Sequence, residues 1–389
     1  MRFDKLIFGL LLICPFAHAA PYIPASGSQV LEKLPSRNDP TQQASSRLRA
    51  QLSQNPDNLS VATRLARLYI NTSRIDGDPR YLGHAQAALR PWWDLPRPPK
   101  EVLILRATIL QSNHQFQQAL ADLDTVLESD RDNGQAWLTR ATVMTVLGNY
   151  DEAGKSCARL FRLAADLVTQ TCLANVGSLS GKASDSYLAL SRALDSHPDT
   201  DAGVRIWAFT LLGEIAARLG DDVAAENHFR EAMSLASPDG YLLGAYSDFL
   251  LDRDRPSEVA ALLKSKGRND ALLLRYAIAL KAQRSSLTDE QTEILRQRFA
   301  AASMRGDTIH QREQSRFELH LLGDPKAALQ TAQRNWQVQK EPADLRVLLE
   351  SAVAAKDKTA ITQVMEWMQK TRLEDRTLKA LLEKAKEKA

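Results

Sequence analysis

Cysteine is scarce in this chain: three in 389 residues, at positions 14, 157 and 172. So few exclude a disulfide framework and leave apolar burial to hold the core. Glycine and proline are sparse as well, at 17 and 16 residues, which disfavours a turn-rich all-β fold. Neither sign of charge prevails, since 50 Lys and Arg face 47 Asp and Glu. No global field is therefore available to recruit nucleic acid or an anionic membrane. What remains is ordinary for a globular protein, with 44% apolar and 25% charged residues.

Motifs that carry chemistry are missing too. There is no H-E-x-x-H and no G-x-S-x-G. His84, His114, His197, His228, His310 and His320 are scattered, and no two share a helical turn as a local zinc site requires. Gly177-Ser178-Leu179-Ser180-Gly181-Lys182 has the look of a phosphate loop. It holds three residues between its glycines instead of four, and Ala183 stands where a magnesium-binding Ser or Thr belongs. It reads as a helix–helix turn. The chain is expected to be no enzyme and to need no cofactor or metal.

Long apolar runs are absent except for Leu6 to Phe16, eleven residues behind Arg2 and Lys5. Ala17-His18-Ala19 follows, with small residues at −3 and −1 for cleavage after Ala19. That is the layout of a secretory signal peptide, and the run is too short to cross a hydrocarbon core of about 30 Å. The expectation is a periplasmic protein of a Gram-negative bacterium, with no stable membrane insertion after cleavage. Export leaves Cys157 and Cys172 as an even pair in an oxidising compartment.

Proline divides the rest. Ten of the fifteen prolines after residue 19 lie between Pro21 and Pro99, and none lies between Lys100 and His197. That second stretch is free to be helix after helix. Residues 100–133 written above 134–167 align without a gap at 34 residues. Arg106-Ala107-Thr108 falls on Arg140-Ala141-Thr142, Leu103 on Trp137, Phe116 on Tyr150 and Ala119 on Ala153. A third register, at 206–239, places Leu212, Gly213, Ala225, Phe229 and Ala232 in comparable slots. A repeat of this length implies a solenoid of antiparallel helix pairs, turning at Gly148-Asn149, Gly220-Asp221 and Gly323-Asp324. Small residues such as Ala107 and Ala119 let paired helices approach, and Phe116 and Phe229 fill the wedge between pairs.

These residues resemble the tetratricopeptide repeat, whose W…L-G…Y…A…F…A pattern recurs every 34 residues. The resemblance covers about residues 41–374. It implies an all-α, right-handed superhelical solenoid of antiparallel helix pairs. Along the chain this gives a signal peptide (1–19), an extended segment (20–40), and a first helical unit with an insertion and a Pro-rich connector (41–99). The array follows at 100–239, then degenerate pairs over 240–374, at 241–266, 270–304, 308–337 and 343–369. A capping helix closes the chain at 375–389, on the stripe Leu378, Leu381, Leu382 and Ala385. Trp92-Trp93 is read as sealing the first unit.

The resemblance further implies a concave groove lined by the first helices, where such proteins hold a peptide or helix of a partner. The positions expected there are Ile104, Thr108, Gln111, Leu138, Thr142, Thr145, Trp207, Thr210 and Glu214. The leading expectation is a non-catalytic scaffold or adaptor for a protein partner of the cell envelope, with no nucleic-acid partner. An accessory subunit or divergent enzyme with a site assembled across repeats is the alternative, and self-association is a third reading. Cys157 and Cys172 fall on neighbouring helices of such an array. They are either a disulfide closing a loop of about 15 residues or two small buried thiols.

Overall fold

The computed structural model describes residue 26 and residues 39–235, 238–306 and 309–387. The signal expected at 1–19, and all of the 20–40 segment except Ser26, Asp39 and Pro40, lie outside these residues. All regular structure among the described residues is helical. α1 (Pro40–Gln54) leads into α2 (Leu59–Asp76), α3 (Arg80–Ala88) and the single turn α4 (Arg90–Trp93). The next pairs are α5 (Lys100–Ser112) with α6 (Phe116–Ser129), and α7 (Gly134–Val146) with α8 (Tyr150–Ala158). Then come α9 (Asp166–Ser178) with α10 (Ala183–Ser196), and α11 (Ala202–Leu219) with α12 (Asp222–Leu235). The region of weak sequence repeat forms α13 (Gly240–Asp252) with α14 (Pro256–Leu263), and α15 (Asp270–Ala282) with α16 (Thr288–Met304). The last elements are α17 (Gln311–Phe317, extended by a wider π turn, Glu318–Leu322), α18 (Pro325–Val338), α19 (Pro342–Ala355), α20 (Lys358–Thr371) and α21 (Arg376–Glu387).

Local chemistry sets these boundaries. Asn133 accepts from the Ala136 amide at 3.0 Å to open α7, and Asp324 accepts from Ala327 at 3.0 Å to open α18, with Pro325 at the first helical position. The small-residue slots are fully enclosed: Ala107, Ala119, Ala153 and Ala225 have no exposed surface. At Gly213 a Cβ would sit 2.9 Å from the Phe229 ring, so α11 and α12 approach as closely as they do because this position has no side chain. α11 begins 68 residues after α7, two repeats of 34, so the four residues extra to the register that starts at Ile206 are Ala202–Arg205, an added first turn of α11. Cys157 of α8 and Cys172 of α9 are joined in a disulfide, their Cα atoms 5.6 Å apart. Trp92 and Trp93 pack half-buried against the core of the first unit, and the Trp93 carbonyl accepts from Arg106.

Two contacts make the array more than a row of pairs. The first unit meets the sixth, where Arg74 at the end of α2 reaches Asp239 before α13 at 3.3 Å and Gly77 abuts Asn269. The helices α17–α21, called the arm below, then pack against the inner ends of the preceding first helices. The Lys340 amide donates to the Val146 carbonyl at the end of α7 (2.7 Å). Glu374 accepts from the Ala183 amide at the start of α10 (2.9 Å), and Arg376 donates to the Gly220 carbonyl at the end of α11 (3.2 Å). Lys281 at the end of α15 donates to the His320 carbonyl at 2.6 Å. α21 is a cap for α19, with Leu378 fully buried, but it also lies on α11. The arm's core even includes Leu179 from the end of α9.

Candidate functional site

The arm changes what the first helices offer. Of the nine positions expected in an open groove, Ile104, Thr145 and Thr210 are buried. Thr145 donates its hydroxyl to the Ala141 carbonyl at 2.8 Å and Thr210 to Ile206 at 2.7 Å, each within its own helix. These three are corrected from binding positions to packing positions. Thr108, Gln111, Leu138 and Trp207 are half-buried, and Thr142 alone of the nine is exposed. Leu138 and Trp207 belong to the core around the disulfide rather than to a free wall.

Glu214 does face inward, but toward the chain's own residues. It accepts from the Tyr241 hydroxyl at 2.8 Å. Burial raises its carboxyl, partly offset by Arg218 and by that hydrogen bond, while Glu341 of the arm adds repulsion. Tyr241 keeps 59% of its surface open to water, yet its phenol is raised well above the ordinary range, first by the protein packed around it and then by Glu214.

A chain of ionic contacts runs along this junction. Asp248 of α13 takes Arg275 of α15 at 2.6 Å and Arg316 of the arm at 2.9 Å. Burial alone would raise its carboxyl, but the two guanidiniums hold it well below the usual range. Arg346 of α19 grips Asp252 of α13 in a two-pronged pair at 2.6 and 2.7 Å and holds Glu350 at 2.7 Å. Burial opposes ionisation of Glu350, but Arg346 and His320 overcome it and bring the carboxyl down to about 2.

At the arm's start, Arg312 reaches Glu341 at 3.0 Å and Asp344 at 3.5 Å. Asp344 has no exposed surface, and accepts from Asn335 at 2.8 Å, Gln339 at 3.1 Å and the Glu341 amide at 2.9 Å. Its carboxyl is pushed up to about 6 by burial, against the pull of Arg312. The neighbouring His114, in the turn between α5 and α6 of the second unit, is lowered by burial and by Arg312. Sequence reasoning missed this junction. Arg316, Arg346 and Asp344 are unremarkable helical charges until the arm folds back onto the arc, and no spacing rule links positions 248 and 316.

Among the described residues, no group of three His, Cys, Asp or Glu is placed to hold a metal ion, and no helix is long and apolar enough to cross a membrane. No protein-family model and no curated protein matches the chain. Among solved structures, a tetratricopeptide repeat protein from Parabacteroides merdae is similar at 16% identity, over 66% of this chain and 91% of that one, with a TM-score of 0.43. A Rap protein complexed with Competence and Sporulation Factor is similar at 12% identity over 90% and 94% (TM-score 0.46), and yeast Tom70 at 13% over 90% and 86% (0.36). On its own geometry, the chain is a tetratricopeptide-repeat-like array of antiparallel helix pairs.

Proposed function

We propose that the chain is a non-catalytic, exported scaffold that binds a protein partner of the bacterial cell envelope. The observation that carries this reading is how the fold uses its ionisable groups. The carboxylates and guanidiniums gathered between arc and arm face one another and fasten the two together, while the helix pairs of the described residues present an outer surface. The partner surface must then be sought beyond the covered groove, or at its accessible remainder around Thr142.

The test is photo-crosslinking in the periplasm of cells expressing the chain, with the reactive side chain placed at exposed positions of each unit in turn. A small, reproducible set of captured envelope proteins supports the scaffold. Capture of nothing but a second copy of the chain moves the reading to self-assembly. A second reading, an envelope enzyme or accessory subunit with a site assembled across repeats, draws on Asp344, Glu214 and His114, whose carboxyls and imidazole are shifted from their ordinary values and each feel a charge of the arm, Arg312 or Glu341. A hydrolase screen of the purified chain beside its Asp344→Asn variant tests it: activity lost in the variant favours the enzyme.

A further inference from the structure

The first unit is built of different material from the rest. Residues 41–99 carry eight arginines and no lysine, against four aspartates and no glutamate. Arg74 and Arg80 are ion-paired, with Asp239 and Asp78. Arg47, Arg49, Arg64, Arg67, Arg90 and Arg97 have no ion pair among the described residues. Elsewhere many arginines, Arg275, Arg316 and Arg346 among them, pair with carboxylates of other helices, while others such as Arg192 and Arg284 have no ion pair among the described residues. In the first unit six of eight are left without one.

The cluster borders a concavity. α1, α2, α3 and α4 border an open concavity of about 740 Å³, within the range of ligand sites. Its floor is apolar: Leu65 and Tyr69 of α2, Ala88 of α3, and the half-buried Leu52 of α1. Tyr69 packs against Tyr81 and against His84, which is exposed and also lines the concavity, with ring centroids 6.0 and 5.5 Å away. Arg49 stands on one rim and Arg90 on the other, both exposed. Arg49 donates to Ser46, a neutral hydroxyl, at 3.1 Å. Arg49 also acts electrostatically on the Tyr69 phenol, lowering it against the effect of burial.

We propose that this cavity is a docking site for an acidic segment of a partner protein. An apolar side chain of that segment sits on the Leu65–Tyr69 floor, and flanking carboxylates take Arg49 and Arg90. The inference rests on the scaffold reading and names the chemistry of the partner. Charge complementarity selects carboxylates, since two guanidiniums without an anion at an apolar concavity are short of one kind of neighbour. The shape selects a peptide over a lipid surface. A membrane-docking face projects apolar side chains outward, whereas here Leu65 and Tyr69 are only 2% and 6% exposed and lie recessed behind the rim.

The experiment pans a displayed library of random nine-residue peptides on the purified chain lacking residues 1–19, and on its Arg49→Glu/Arg90→Glu variant. Enriched peptides are expected to carry Asp or Glu beside Leu or Phe. A fluorescein-labelled copy of the winner should bind about tenfold or more weakly to the variant, as the loss of charge-assisted contacts implies. A circular-dichroism melt unchanged by the double substitution keeps that loss from being an unfolding effect. No enrichment, enrichment of basic peptides, or enrichment that survives the double substitution overturns the proposal. So does binding confined to phosphatidylglycerol vesicles, which would make the unit a lipid-facing one. The two readings separate in the crosslinking assay. Envelope proteins captured from Thr142 but not from Ala87, which lines this cavity, defeat the docking site and leave the scaffold standing. No protein captured from any position defeats the scaffold.

Discussion

The two ends of the array handle arginine in opposite ways. In the arm, Arg312, Arg316 and Arg346 are half-buried and each faces a carboxylate within 3.0 Å. In the first unit, Arg49 and Arg90 stand at the rim of a cavity with no carboxylate partner among the described residues. An enclosed guanidinium without an anion is strongly unfavourable, while one in water is not. The arm's arginines are therefore bound up with its docking, and those of the first unit contribute little that the fold itself uses. Stability should be sought at the arm and recognition at the first unit.

That contrast is broken or sharpened by substitution. The largest effect is expected from Asp248→Ala, which leaves Arg275, only 8% exposed, and Arg316 facing each other without an anion. The loss should be about 3–5 kcal/mol in urea unfolding. A loss below about 1 kcal/mol would mean that the arm is not fastened through this residue. Leu378→Ala, at a fully buried position under the cap, should cost about 2–5 kcal/mol. Leu52→Ala, half-buried in the first unit, should cost clearly less, and equal costs would remove the distinction between the two ends.

Cys157→Ser with Cys172→Ser should lower stability by about 3 kcal/mol for a loop of this length. A non-reducing peptide map finding both thiols free in exported material would contradict the bridge. Acid should loosen the arm before the first unit. Glu350 falls from an ordinary 4.5 to about 2 in the fold, so its stabilisation is present above pH 4.5 and is lost as the pH falls toward 2. Asp248, also held low, adds to the same trend. Asp344, raised from 3.8 to about 6, has the opposite sign and gains stability only as the pH falls from 6 to 3.8, so the net loss is read below 3.8. Hydrogen exchange at pH 3 should show α19 opening ahead of α2, and the reverse order would contradict the assignment. The smallest effect belongs to Arg49→Ala and Arg90→Ala, within about 0.5 kcal/mol each, read by thermal melting.

Much of the fold was legible in the sequence because it is local. The 34-residue register placed Ala107, Ala119, Gly213 and Ala225 in small-residue slots, all of them buried, and those slots depend only on neighbouring helices. The Leu378–Leu382 stripe marked a helix needing cover on one face, although its contact with α11 was not foreseeable. The nine groove positions were read from the face of each first helix, which a repeat does determine. What it does not determine is whether that face stays open. Closure depends on small rotations accumulated from unit to unit, and on the arm's charges finding partners 68 and 94 residues away, as Arg316 finds Asp248 and Arg346 finds Asp252. Thr145 and Thr210 looked like groove hydroxyls because an intrahelical hydrogen bond leaves no trace in a hydropathy pattern.

The central claim, that the arm occupies the inner edge of the arc, has one direct test. Lys340 is replaced by photoreactive benzoylphenylalanine in the exported chain and irradiated, and its crosslinks are mapped by mass spectrometry. Lys340 lies against Gly148 and its amide bonds the Val146 carbonyl. The account predicts an intramolecular crosslink to residues 144–150, at the end of the third unit's first helix. Crosslinks confined to residues adjacent in sequence, with the 144–150 peptide unmodified, would show an open array whose groove is free.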